Sequence, residues 1–254
     1  MELLTDPWLL AALALVMVFA GLVHGTLGLG FPVVSTPIIA AMLDVRTAIL
    51  LTLLPTVAVN VASIVGSAGY GSSLKRFWPL LIWTLIGGVF GTWLLSQVDP
   101  APFKLLLAAL IGLFLWSSHA DRIPRAWLQR HAALAMMVFG LGAGFSGGTT
   151  NVTVAVFIIY FLAIELPRNA IVPVMNSGFL VGKLSQIAVL GAAGFVTLPL
   201  LTTTAPLAAL AVVALLAGQR LRDRVPLETY RRWLRWLLIV LAVLLIAQYV
   251  RSVI

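Results

Sequence analysis

The chain contains no cysteine, which excludes disulfides, thiolate catalysis and cysteine metal sites and leaves the redox compartment unread. Charge is nearly as scarce, at 9% of 254 residues. The carboxylates Glu2, Asp6, Asp44, Asp99, Asp121, Glu165, Asp223 and Glu228 all fall in loops or at the ends of apolar segments. An intramembrane carboxylate relay of the kind that cation pumps use is therefore disfavoured. His24, His119 and His131 are too scattered to suggest a metal site, and nothing in the sequence implies a cofactor. Little polar sequence separates the apolar runs, so a soluble catalytic domain of ordinary size has no place between them.

Apolar residues fill the space that charge leaves: 61% of the chain is hydrophobic and its mean hydropathy is +1.10. This is the composition of an all-α polytopic membrane protein, read here as one membrane domain over 1–254 with the lipid bilayer as its surroundings. The formal charge of +8 sits in short loops, where it orients spans and does not point to nucleic acid. The first residues carry only Glu2 and Asp6 as charges, so the first apolar run reads as a retained span and not a cleaved signal.

Apolar segments run over 8–27, 31–43, 47–69, 77–96, 102–118, 132–145, 149–164, 169–190, 195–217 and 233–250. Those near ~20 residues suit full crossings, whereas 31–43, 132–145 and 149–164 are short. Trp8, Trp78, Trp93, Trp116, Trp127, Trp233 and Trp236 lie near segment ends, as interfacial anchors do.

Glycine-rich breaks adjoin the short segments, at His24–Pro32 (HGTLGLGFP) and Gly144–Asn151 (GFSGGTTN). Lipid tolerates irregular backbone only where it is buried in protein or lines a wet cavity, so paired breaks point to a transport site. After each break the chain repeats itself: Asp44-Val45-Arg46-Thr47-Ala48-Ile49 resembles Glu165-Leu166-Pro167-Arg168-Asn169-Ala170-Ile171. The expectation is an internal repeat, with copies over 1–120 and 121–254.

Two topologies compete. If each break only kinks a helix, the halves are parallel and the loop Lys and Arg residues divide 9 to 6 between the two sides. If each break is the tip of a helical hairpin, each half is a hairpin plus three spans and the halves are inverted. Lys75, Arg76, Arg122, Arg125, Arg130, Arg168, Arg220, Arg222, Arg224, Arg231, Arg232 and Arg235 then share one side, against Arg46, Lys104 and Arg251. The positive-inside rule favours the hairpins and puts both termini outside.

The first tip offers Thr26, Gly28 and Gly30, where backbone amides can approach an anion. The second offers Ser146, Gly147, Gly148, Thr149, Thr150 and Asn151 as donors where the 149–164 helix is expected to begin, since a helix N-terminus favours negative charge. The competing reading is that these glycines are packing surfaces between helices. Lys183 is the only charge well inside a segment, and at helical spacing it shares a face with Asn176, Phe179 and Gln186. Its bland alternative is a lysine that snorkels to an interface. Asn60 and Ser63 mirror Gly182 and Ser185 and would line the same cavity from the other half. His24 is the proton-coupling candidate, with a neutral hydrogen-bonded histidine as the alternative. One interior lysine among neutral donors, with no interior acid, favours a small anionic solute.

With the duplicated unit, GLGFP at the end of the first helix and GFSGG followed by PRNAI in the second half, the chain resembles the sulfite exporter TauE/SafE family over essentially its whole length. The resemblance implies a permease of the bacterial inner membrane for sulfur-containing anions such as sulfite, sulfonates and sulfoacetate. The resulting expectation is a secondary transporter working by alternating access. The rival readings are a passive anion channel and a non-transport membrane enzyme or assembly factor, the latter disfavoured by the lack of clustered His, Asp or Cys. A homo-oligomer is left open.

Overall fold

A backbone in lipid must satisfy its own hydrogen bonds, and this one does so entirely as helices among the described residues. The computed structural model describes residues 6–28, 30–65, 70–116, 125–221 and 227–253. The expected junction of the copies at 120/121, and the side chains of Glu2, Asp121, Arg122, Arg168, Arg222, Asp223, Arg224, Glu228, Arg231 and Trp233, lie outside the described residues. The elements are α1 (Pro7–Leu27), α2 (Phe31–Met42), α3 (Val45–Val65), α4 (Tyr70–Gln97), α5 (Pro102–Trp116), α6 (Arg125–Arg130), α7 (Ala132–Thr150), α8 (Val154–Ala163), α9 (Arg168–Ala192), α10 (Leu198–Leu221) and α11 (Leu227–Val253). Pro7–Leu27, Val45–Val65, Leu74–Gln97, Ala132–Thr150 and Leu198–Leu221 are long and apolar enough to cross a bilayer, so the chain is a multi-pass membrane protein.

The described carboxylates sit at helix ends. Asp6 caps α1 by accepting the Trp8 amide at 2.9 Å, and Asp44 caps α3 by accepting the Thr47 amide at 3.0 Å. Asp99 accepts the Ala101 amide at 2.7 Å ahead of α5, and Glu165 pairs with Arg125 at the surface. Trp8, Trp78, Trp93, Trp116, Trp127 and Trp236 are all exposed, as side chains that face lipid or headgroups must be.

Glycine faces zip the long helices together. In α7, Gly140, Gly144 and Gly148 recur every fourth residue and so share one stripe. A methyl group at Gly144 would fall 2.1 Å from the Thr84 carbonyl oxygen, and one at Gly148 would fall 2.6 Å from that of Gly88. Gly140 meets Leu80 and Thr84, Gly144 meets Thr84 and Gly88, and Gly148 meets Gly88 and Thr92, so α4 and α7 run in the same direction. The second seam joins α1 to α10, where Gly21 meets Ala211 and Ala214 while Gly25 meets Leu215 and Gly218. That pair is parallel too.

The second break is a hairpin. Phe139 of α7 stacks on Tyr160 of α8 at 4.9 Å, and Gly142 lies against Val156, so α8 returns along α7. From there α9 reverses again, because Phe157 packs on Gly178 and Phe179 while Thr153 and Lys183 border the same cavity. Successive spans alternate, which sets α10 against α9, and therefore α1 against α4 and α7. Arg46 at the start of α3 donates to the Leu95 carbonyl at 2.8 Å near the end of α4, making α3 and α4 antiparallel. The short turn at 43–44 sets α2 against α3 and so parallel to α4, and α1 with α2 must then form a hairpin as well. Both breaks are hairpin tips, and the two hairpins enter from opposite directions.

The position of the second break differs from the sequence expectation. Ser146, Gly147, Gly148, Thr149 and Thr150 do not open a helix; they are the last turns of α7, and the chain breaks at Asn151–Thr153. The reason is the α4 seam, which rewards continuing the glycine stripe as helix through Gly148.

Candidate functional site

The two hairpins end their first arms alike. Gly28 closes α1 with φ 79°, its amide bonded to the His24 carbonyl at 2.7 Å; Asn151 closes α7 with φ 67°, its amide bonded to the Gly147 carbonyl at 2.9 Å. Both are left-handed C-terminal caps. Gly28 takes this backbone at no steric cost, and Asn is the side chain that tolerates it best. The consequence is that only the second tip carries a polar group at its apex.

That group organises the site. The Asn151 amide donates to Thr36 Oγ1 at 3.0 Å and to Thr52 Oγ1 at 2.9 Å, tying the second tip to α2 and α3. Its oxygen accepts from Lys183 Nζ at 2.5 Å. Gln186, one turn along α9, accepts a second bond from Lys183 at 2.5 Å and donates to the Gly147 carbonyl at 2.9 Å. Lys183 is only 3% exposed, so the snorkelling alternative does not describe this structure. Its partners are neutral amide oxygens, and among the described residues no carboxylate accompanies it. A buried ammonium without a countercharge is expensive, and this position is the candidate site for an anionic group.

A cavity of about 10 Å³, room for about one water molecule, lies beside the ammonium. Pro32, Thr56, Gly147, Asn151, Thr153, Phe179, Gly182, Lys183 and Gln186 line it, so α2, α3, both sides of the second tip and α9 all contribute. The Thr56 hydroxyl and both polar atoms of the Asn60 amide, a turn further along α3, are buried without a partner among the described residues. Buried polar atoms left this way are costly and point to a missing ligand or solvent. The cavity is smaller than an oxyanion with its heavy-atom substituents.

The first tip forms a different cluster. His24 is fully buried; its Nδ1 accepts the Phe31 amide at 3.2 Å, so the proton sits on Nε2, which donates to Ser63 at 3.0 Å. Asn176 lies beside His24 and donates to the Val172 carbonyl at 2.9 Å and the Gly28 carbonyl at 3.3 Å. Thr26 bonds back to the Leu22 and Val23 carbonyls, and Gly30 opens α2 with φ 110°.

Of the residues singled out from sequence, Gly147, Asn151, Lys183 and Gln186 come together at the cavity. Thr26, Gly28, Gly30, Asn60 and Asn176 do not line it. Gly148 packs in the α4 seam, and the Thr149 hydroxyl is engaged with the Phe145 carbonyl at 2.7 Å. Both belong to the body of α7, which corrects their expected place at the tip. Thr36 and Thr153 were not singled out, since a threonine in an apolar segment carries no distinguishing signal, whereas Pro32 closes the first break in the sequence. Thr52 and Thr56, on the same helix as Asn60, are ordinary residues for a membrane helix and give no signal in the sequence alone.

A polytopic helical bundle, with two reversed hairpins meeting at a buried lysine, defines a membrane transporter. Residues 13–246 match the sulfite exporter TauE/SafE family, and the chain belongs to that family. A protein of Haemophilus influenzae described as a probable membrane transporter protein is 31% identical over 105 residues. That alignment covers 39% of this chain and 41% of the relative, so the chain spans less than half the length of the curated relative it matches. No solved structure matches the chain.

Proposed function

We propose that the protein is a secondary transporter of small sulfur-containing anions such as sulfite, sulfonates or sulfoacetate, acting in the bacterial inner membrane. The observation that carries the reading is Lys183, buried beside the cavity with two amide oxygens as its only described partners. An anion in the cavity supplies the countercharge that the protein withholds. A cavity with room for about one water molecule, too small for a standing anion pathway, argues for alternating access and against a passive anion channel.

The helix pairings support an inverted repeat of 1–120 and 121–254. Exchanging each helix for its counterpart turns the α4–α7 seam into the α10–α1 seam, α4–α9 into α10–α3, and α2–α11 into α8–α5, and all of these pairs exist. The moving bodies are then intertwined: α1, α3 and α10 form one, and α7, α9 and α4 the other. Between them stand the bonds from Asn151 to Thr52, from Asn176 to the Gly28 carbonyl and from Arg46 to the Leu95 carbonyl, with Asn151 also holding Thr36 of α2. These are the contacts that break when the site opens. The excess of basic residues around 75–76, 125–130 and 220–235 supports a cytoplasmic position for that face.

The test is uptake of radiolabelled methanesulfonate and sulfite into proteoliposomes. Wild type should show saturable flux, and Lys183→Gln should lose at least about tenfold of it. Undiminished flux in the variant, with protein folded and inserted, contradicts the assignment.

A further inference from the structure

We propose that the Lys183 cavity admits singly charged oxyanions and rejects doubly charged ones. This rests on the reading of Lys183 as the anion's countercharge and adds the number of charges it can balance: among the solutes proposed above it selects hydrogensulfite and monosulfonates and sets aside sulfoacetate, which carries two charges at neutral pH.

The interior count is short. Lys183 contributes one positive charge, and Asn151, Gln186 and Thr56 contribute only neutral dipoles. The other charged or titratable side chains described on the packed elements are engaged or lie elsewhere. Arg46 of α3 bonds the Leu95 carbonyl, Lys75 and Arg76 of α4 lie at its first turns, and Tyr160 of α8 stacks on Phe139. His24 on the facing hairpin adds no charge in this state, because its Nδ1 is occupied by the Phe31 amide and its single proton faces Ser63.

A monoanion therefore closes the site at zero net charge, which is the condition under which a buried ion pair can be retained. A dianion leaves one uncompensated negative charge in a space bounded by Pro32, Phe179 and neutral amides. Donor count agrees with this. Two of the three Lys183 N–H groups already meet amide oxygens, leaving one for a ligand, and among the lining residues the Thr56 hydroxyl has no described partner, the unpartnered Asn60 amide lying outside the lining. Those donors can satisfy one localised charge, whereas a dianion such as sulfate needs more than they supply.

The experiment compares three probes in proteoliposomes across a pH series. Methanesulfonate carries one charge throughout, sulfate carries two, and sulfite passes from hydrogensulfite to the dianion near neutrality. Methanesulfonate flux should stay level. Sulfite flux should fall by about tenfold per pH unit once the hydrogensulfite fraction is declining, as its mass action requires. Sulfate should compete at least about a hundredfold more weakly than methanesulfonate, the discrimination expected for an unbalanced buried charge. Sulfite flux that holds or rises as the dianion accumulates, or sulfate competing as well as methanesulfonate, overturns the proposal. If Lys183→Gln carries methanesulfonate as fast as wild type, the site reading itself fails, and that result is separate from a wild type that prefers dianions.

Discussion

The two hairpin tips share a backbone and differ in one side chain. Gly28 and Asn151 occupy the same left-handed cap, yet the first tip folds inward on His24, Phe31 and Ser63 while the second reaches across to Lys183, Thr36 and Thr52. One position that glycine fills for conformation alone is filled by asparagine for conformation and chemistry together. We read the first tip as a structural closure and the second as the place where ligand chemistry is organised.

Changing each tip toward the other, or away from both, tests that division. The largest effect is expected from Asn151→Asp, which keeps the left-handed cap but places a carboxylate on the Lys183 ammonium. The site then neutralises itself, and methanesulfonate uptake should fall by about a hundredfold while thermal stability holds. Next is His24→Leu, which strips the Phe31 amide of its acceptor and Ser63 of a buried partner. Stability in detergent should drop by about 2 kcal/mol, measured by thermal unfolding, with the remaining folded protein still binding anion.

Asn151→Gly gives the second tip the apex of the first. The backbone is preserved, but Lys183 loses an acceptor and α2 and α3 lose their tie, so uptake should fall by about tenfold. The smallest effect belongs to Gly28→Asn. The three atoms nearest a new Cβ there all belong to Val172, the closest at 3.2 Å, and uptake should stay within about twofold of wild type. A transport defect in Gly28→Asn equal to that in Asn151→Gly would erase the distinction between the tips.

Much of this was legible in the sequence because membrane physics restricts the choices. The apolar segments anticipate the helices, with 31–43 and α2 (Phe31–Met42) differing by a residue, and the carboxylates announce helix ends. Lys183 stood out because a charge inside a span needs a reason, and its helical face brought Gln186 with it. The second break was misplaced by several residues because glycine signals both a turn and a close seam. Only the stripe Gly140, Gly144 and Gly148, seen against α4, decides for the seam. Thr36 stayed hidden since its role depends on Asn151 arriving from 115 residues away. Long-range partners of that kind leave no local pattern.

Ligand-induced stabilisation of the purified protein tests the central claim without needing transport to be rate-limited by any one step. A ligand that binds the folded state raises the unfolding temperature in proportion to the logarithm of its excess over Kd. Titrating methanesulfonate into wild type, Lys183→Arg and Lys183→Gln should raise the unfolding temperature of the first, partly restore the shift in the second and leave the third flat. An equal rise in wild type and Lys183→Gln would contradict Lys183 as the charge that holds the anion.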